Sequence, residues 1–205
     1  MNGPVIKVLV LPGGNLPVQG KTGDIGWDFS VRAIVDEILD PATGARKTLW
    51  DLTGPPSKDM RHFGWHEKSR WSYVLHPTRS VKVGVGVVFG GDSLDWYAEM
   101  APRGNAGLKR FDVIHNHMDR IPIDPNFRGE PIALLTNNGD TPLKVEHGWK
   151  VGQLKFFCKC CQGGGFLTPT FQLVNTYQEL GQTTRGIKCH GSSGIQSDLQ
   201  LQLIS

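Results

Sequence analysis

The feature that most constrains this chain is its division into short apolar runs, many alternating with period two and bounded by turn punctuation rich in glycine and proline. VIKVLVL (5–11), WDFSVRAIV (27–35), RKTLWDL (46–52), SVKVGVGVVF (80–89) and LDWYAEM (94–100) come first. FDVIHN (111–116), EPIALLTN (130–137), LKVEH (143–147) and QLKFFCK (153–159) follow. Many are β-branched or aromatic, which suits a pleated, half-buried surface. PGG, DP, NNGD and GG separate them, and NNGD at 137–140 is a strong turn signal. With 26 Gly and 13 Pro in 205 residues, breakers recur too often for long helices. Only VDEILDPATG (35–44) offers a helical turn, and Pro41 cuts it short. The pattern predicts an all-β domain, a sandwich or a barrel.

The remaining bulk properties exclude more than they assign. A formal net charge of +3 is too small to argue for a nucleic-acid partner. No apolar run approaches the roughly 18 residues needed to span a membrane. The apolar patch in MNGPVIKVLVLP is shorter than a signal h-region and runs into PGG, so a cytoplasmic protein is expected. Cys158, Cys160 and Cys161 form one tight cluster, with Cys189 apart, which is no spaced disulfide framework. Period two puts Cys158 and Cys160 on one strand face, and reduced thiols are expected there. His62 and His66 lack a paired carboxylate or cysteine at metal spacing.

Five pieces carry side chains suited to chemistry. GDIGWDFS (23–30) places Asp28 just inside a strand. APRGNAGLK (101–109) sets Arg103 in a glycine-rich turn whose backbone N–H groups suit phosphate oxygens. IPIDPNFRGE (121–130) holds Asp124, Phe127 and Arg128, and HGWKVGQL (147–154) holds Gln153. Near the end, TTRGIKCHGSSG (183–194) carries Arg185, His190, Ser192 and Ser193 among glycines. Taken singly, each has a plain reading as a turn or a solvated strand residue.

Their order and spacing resemble the five motifs of the trimeric dUTPase family. The resemblance covers about residues 4–39 and 73–195, with 40–72 left as an insertion. It implies a jelly-roll-like β-barrel over residues 1–182 and a flexible arm over 183–205 that closes an active site. It also implies a homotrimer, Mg²⁺ as cofactor, dUTP as substrate, and dUMP and pyrophosphate as products. In that likeness Asp124 is the carboxylate that activates water, with Arg103 and Gln153 at the phosphates. Asp28 is the metal-site residue that helps hold the Mg²⁺–triphosphate region, and Gly104 and Asn105 line the substrate. Ile123 belongs to the hairpin that reads the pyrimidine edge, and Phe127 packs under the deoxyribose. Arg185 grips the γ-phosphate, His190 stacks on the base, and Gly191, Ser192 and Ser193 complete the arm's contacts.

The sequence departs from the family at definite points. Gly104 stands where serine is usual, which removes a hydroxyl donor from the phosphate turn. Ile121, followed by Pro122, stands where glycine is usual three residues before the catalytic aspartate. Lys188 and Cys189 replace two glycines of the arm. The changed hairpin motivates one alternative, a pyrophosphatase for another deoxypyrimidine triphosphate such as dCTP or a modified base. Gly104 motivates another, a non-catalytic nucleotide sensor or protein-binding member of the fold. A dCTP deaminase would need a glutamate where this chain has Leu134.

Overall fold

A computed structural model describes residues 3–58, 60, 63–66, 70–103, 122–159 and 165–187, with 63–66 followed as strand path alone. The described residues form strands and one short 3-10 turn, in keeping with the all-β expectation. In chain order they are β1 (Val5–Val10), β2 (Val18–Gln19), β3 (Trp27–Ser30), β4 (Ala33–Leu39), β5 (Arg46–Trp50), β6 (Phe63–His66), β7 (Arg70–Leu75) and β8 (Ser80–Gly84). Then come β9 (Val87–Gly90), β10 (Trp96–Pro102), β11 (Ile132–Thr136), β12 (Leu143–Glu146), β13 (Lys150–Cys158), β14 (Phe166–Leu167) and β15 (Thr170–Val174).

Four sheets share these strands: β15-β1-β9, β10-β13-β3-β2 with β14 on β13, β11-β8-β4-β5, and β12-β7-β6. Most neighbours are distant in sequence, so the connections are crossovers of the kind a jelly roll contains. The inner faces meet in one main core. Phe89, Trp96 and Phe156 are buried there, and Phe156 meets Phe89 edge-on at 5.9 Å and Phe171 at 5.6 Å. Such edge contacts match the positive rim of one ring to the negative face of the next.

The alternation located most strands but not their breaks. The run 27–35 divides at Val31 and Arg32, and 80–89 divides at Val85 and Gly86, whose φ is 77°. The expected helical turn in 35–44 is a strand as far as Leu39, because β4 is paired by β5 on one side and β8 on the other. Tertiary pairing overrides a weak helical propensity there. The chain then turns at Asp40, whose carboxylate accepts the Ala42 N–H and the Thr43 hydroxyl, and Gly44 closes the turn at φ 68°.

NNGD does turn the chain, but between two sheets, since β11 pairs β8 while β12 pairs β7. Asn137 holds that turn by donating to the carbonyls of Leu75 and Thr141. Within the 40–72 segment, β5 joins the main sheets and β6 forms a hairpin with β7. Cys158 is disulfide-bonded, to a partner outside the described residues, so the reduced-thiol expectation fails at this position. Strand periodicity registers which face a thiol takes, not what it meets beyond the strand. The strand expected at 111–116, and Cys160, Cys161, Cys189 and His62, also lie outside the described residues.

A buried ion network pins the sheets together. Glu130 has no exposed surface and accepts from Arg32 Nε and Nη2, both at 2.8 Å, and from the backbone N–H of Arg46 and Gly86. Arg46 Nε in turn donates to the Glu130 carbonyl at 2.9 Å. Every lone pair of the carboxylate is met, the condition under which a buried charge is tolerated. Gly84 is required beside it, because a Cβ there would lie 2.4 Å from Glu130 Oε1.

Candidate functional site

Two groups of the expected residues assemble, each on different elements. In the first, β13 lies between β3 and β10, and Gln153 is registered against Asp28 on one side and Ala101 on the other. Asp28 is buried, yet its carboxylate is met from three directions. Arg103 Nε lies 3.1 Å from Oδ1, Gln153 Nε2 donates to Oδ1 at 3.3 Å, and Lys150 Nζ lies 3.4 Å from Oδ2. Arg103 and Lys150 keep their heads partly in solvent, with side chains 39% and 46% exposed. Gly26 makes room for this arrangement. A Cβ there would fall 2.5 Å from Gln153 Oε1 and 3.0 Å from its Cβ.

The second group is the hairpin around Asp124. Ile123 bridges to Ala98 of β10 through a pair of backbone hydrogen bonds, which anchors the hairpin to the sheet that carries Asp28 and Gln153. Phe127 N–H donates to the Asp124 carbonyl at 3.0 Å, closing the turn that lifts the Asp124 side chain. Phe127 itself is buried, at 8% exposure. Onto this hairpin comes the start of the arm. Thr183 donates to the Asn126 carbonyl at 2.6 Å, and the Arg128 N–H donates to the Gly186 carbonyl at 2.8 Å. These contacts bring the Arg185 guanidinium into an ion pair with the Asp124 carboxylate. The same guanidinium stands 5.7 Å from the centre of the Phe127 ring.

Arg128 ties the hairpin to the arm. Its buried guanidinium donates to the carbonyls of Pro125 at 2.6 Å, Gly181 at 3.0 Å and Gly91 at 3.2 Å. Burial lowers its affinity for a proton relative to a free guanidinium, and the ring of carbonyls replaces lost water. Tyr177 closes the junction by donating to the Arg128 carbonyl at 3.0 Å, and its own burial raises the phenol's pKa. An open cavity of about 380 Å³ lies against this junction, lined in part by Arg128, Tyr177, Thr183 and Gly186.

The structure therefore groups Asp28 with Arg103 and Gln153, and Asp124 with Phe127 and Arg185, with Ile123 anchoring the hairpin. Gly104, Asn105, Ile121, His190, Gly191, Ser192 and Ser193 lie outside the described residues. Lys150 and Glu130 were not among the residues the sequence singled out, and Arg128 was named without a partner. Lys150 and Arg128 stood inside quoted motifs, but nothing in the sequence gave their direction.

The described residues do not fit a Mg²⁺ ion held directly by their own side chains. No three His, Cys, Asp or Glu side chains gather as a metal site among the described residues. The carboxylate expected to face the metal, Asp28, already has a cation on each oxygen. A hard dication prefers oxygen donors that are not shared with cations.

No family model matches the chain. Among curated proteins it is 28% identical over 163 residues to a deoxyuridine 5′-triphosphate nucleotidohydrolase of Actinobacillus succinogenes, covering 77% of this chain and 95% of that one. It is 27% identical over 171 residues to the enzyme of the same name from Pseudomonas entomophila, covering 81% of this chain and all of that one. Among solved structures it is similar to a dUTPase from phage phi11 of S. aureus, with 11% identity and a TM-score of 0.48, covering 74% and 88% of the two chains.

Proposed function

We propose that this chain, a relative of the dUTPases, hydrolyses dUTP to dUMP and pyrophosphate. The observation that carries the reading is the convergence of Asp124, Phe127 and Arg185, from segments 61 residues apart, on one hairpin. That is the set the reaction needs: a base for water, a flat apolar floor for the sugar, and a fork-shaped cation for phosphate.

Asp124 takes a proton from water as the oxygen attacks the α-phosphorus. The new P–O bond forms as the bond to the bridging oxygen breaks, and pyrophosphate leaves. Arg185, delivered by the arm, moves from the Asp124 carboxylate to the γ-phosphate, where it binds with two parallel N–H donors. Arg103 and Gln153, held in place by Asp28, face the remaining phosphates. Most of the acceleration comes from positioning and charge neutralisation. Mg²⁺, brought with the nucleotide, would supply charge neutralisation at the phosphates.

The arm from residue 183 acts as a lid, and His190, Gly191, Ser192 and Ser193 complete the enclosure over the base and phosphates. Gly104 and Asn105 line the phosphate turn. A homotrimer with sites shared between subunits, and a cytoplasmic location, belong to the same proposal.

The test is pyrophosphate release with Mg²⁺ from dUTP, dCTP, dTTP, UTP and a modified deoxyuridine triphosphate. Rapid release from dUTP alone is the expected result. Preferred release from another nucleotide moves specificity to residues 121–127. Tight binding of a non-hydrolysable dUTP analogue with no release from any nucleotide makes the protein a sensor.

A further inference from the structure

We infer that Lys150 is a third phosphate-facing side chain of this site, aimed there by a β-bulge and held there by Asp28. The inference rests on the dUTP reading above. Along β13, Leu154, Phe156 and Cys158 are buried, while Gln153, Lys155 and Phe157 take the opposite face. Strict alternation carried backwards would put Lys150 on the core face with Leu154. It is not there. The register against β3 slips between Lys150 and Gly152: Lys150 pairs with Ser30 and Gly152 with Phe29, so two steps on β13 meet one on β3. The extra residue, Val151, turns into the core at 2% exposure, and Lys150 emerges on the side of Gln153. Bulges redirect side chains in this way, and they concentrate beside active sites.

The bulge is built in rather than incidental. Gly152 has no side chain because a Cβ would lie 2.5 Å from the Phe29 ring. Lys150 then reaches Asp28 Oδ2 while Arg103 takes Oδ1. One carboxylate faces two basic side chains, so formal charges leave a surplus of one cation in this cluster. A countercharge for Asp28 alone would require one cation, and Arg103 already supplies it. The surplus charge sits on the exposed heads of Arg103 and Lys150, beside the Gln153 amide. A polyphosphate is the ligand that such a cluster complements.

The experiment compares parent, Lys150→Gln and Lys150→Arg as full-length proteins. Affinity for α,β-imido-dUTP is measured by calorimetry, and deoxyuridine, which has no phosphate, is measured as a competitive inhibitor. Lys150→Gln should weaken α,β-imido-dUTP by about tenfold or more, the loss of one charge-assisted contact. Deoxyuridine inhibition should stay within about twofold, and Lys150→Arg should keep most of the nucleotide affinity. Unchanged nucleotide affinity in Lys150→Gln, or equal losses for both ligands, overturns the inference. So does a Lys150→Gln protein that fails to fold, because Lys150 is then a structural partner of Asp28. A parent that binds no α,β-imido-dUTP fails at the premise instead, and the dUTP reading falls with the inference.

Discussion

The Arg185 guanidinium lies on the Asp124 carboxylate and over the Phe127 ring, so the arm's cation occupies the proposed general base. On the proposed mechanism the two must exchange partners: the γ-phosphate would draw Arg185 away before Asp124 accepts a proton from water.

Asp124→Asn removes the base but keeps the shape of the side chain. Binding of α,β-imido-dUTP should persist, and kcat should fall by roughly 10² to 10⁴, the usual worth of a positioned acid or base. Steady-state turnover with parallel calorimetry checks this. Parental turnover in the variant rules out Asp124 as the base.

Truncation after Gln182 removes Arg185 but spares Leu180 and the 3-10 turn Tyr177–Leu180 that packs beneath. The truncated chain should fold, with a melting temperature close to the parent's. The Arg185–Asp124 pair is partly exposed, with side chains 25% and 35% accessible, so it contributes at most about 1 kcal/mol. Turnover should nearly vanish. Full activity in the truncated chain shows that the arm takes no part in the chemistry.

Gly26→Ala tests the packing that positions Gln153. The new methyl would overlap the Gln153 side chain, which must swing away from Asp28. We expect kcat/KM to fall by about tenfold, the size of one lost hydrogen bond in a phosphate site. Gln153→Ala should give a similar loss, and the double variant little more, since both remove one contact.

Glu130→Gln leaves Arg32 and two backbone N–H groups facing a neutral amide in a fully buried position. Breaking one side of a buried pair costs about 3 to 5 kcal/mol. Urea unfolding should show that loss as a lower midpoint with an unchanged slope. A loss of unfolding free energy below about 1 kcal/mol would mean that water or rearrangement replaces the network.

Chelation of Mg²⁺ should suppress turnover without moving the melting temperature of the nucleotide-free protein. A metal bound to the folded state would stabilise it by mass action, but the described residues offer no carboxylate cluster for one. A clear drop in melting temperature with EDTA would reveal a structural metal.

The sequence by itself determined the all-β class, most strand positions and the order of the motif residues. Side-chain alternation and turn chemistry are local properties, legible over five to ten residues. Asp28, Arg103, Asp124, Gln153 and Arg185 could be named for the same reason, because each sits in a short motif. What only the tertiary structure decided is where those side chains meet. Nothing around Glu130 in the sequence marks a buried ion pair; Arg32 and Arg46 arrive from segments 98 and 84 residues away. Lys150 belongs to the core face by alternation, and only the slipped register against β3 turns it to Asp28. The Asp124–Arg185 pair depends on an arm folding back across 61 residues. Local patterns encode conformation, whereas a charge finds its partner only when packing brings distant segments together and removes the water that would otherwise hold it.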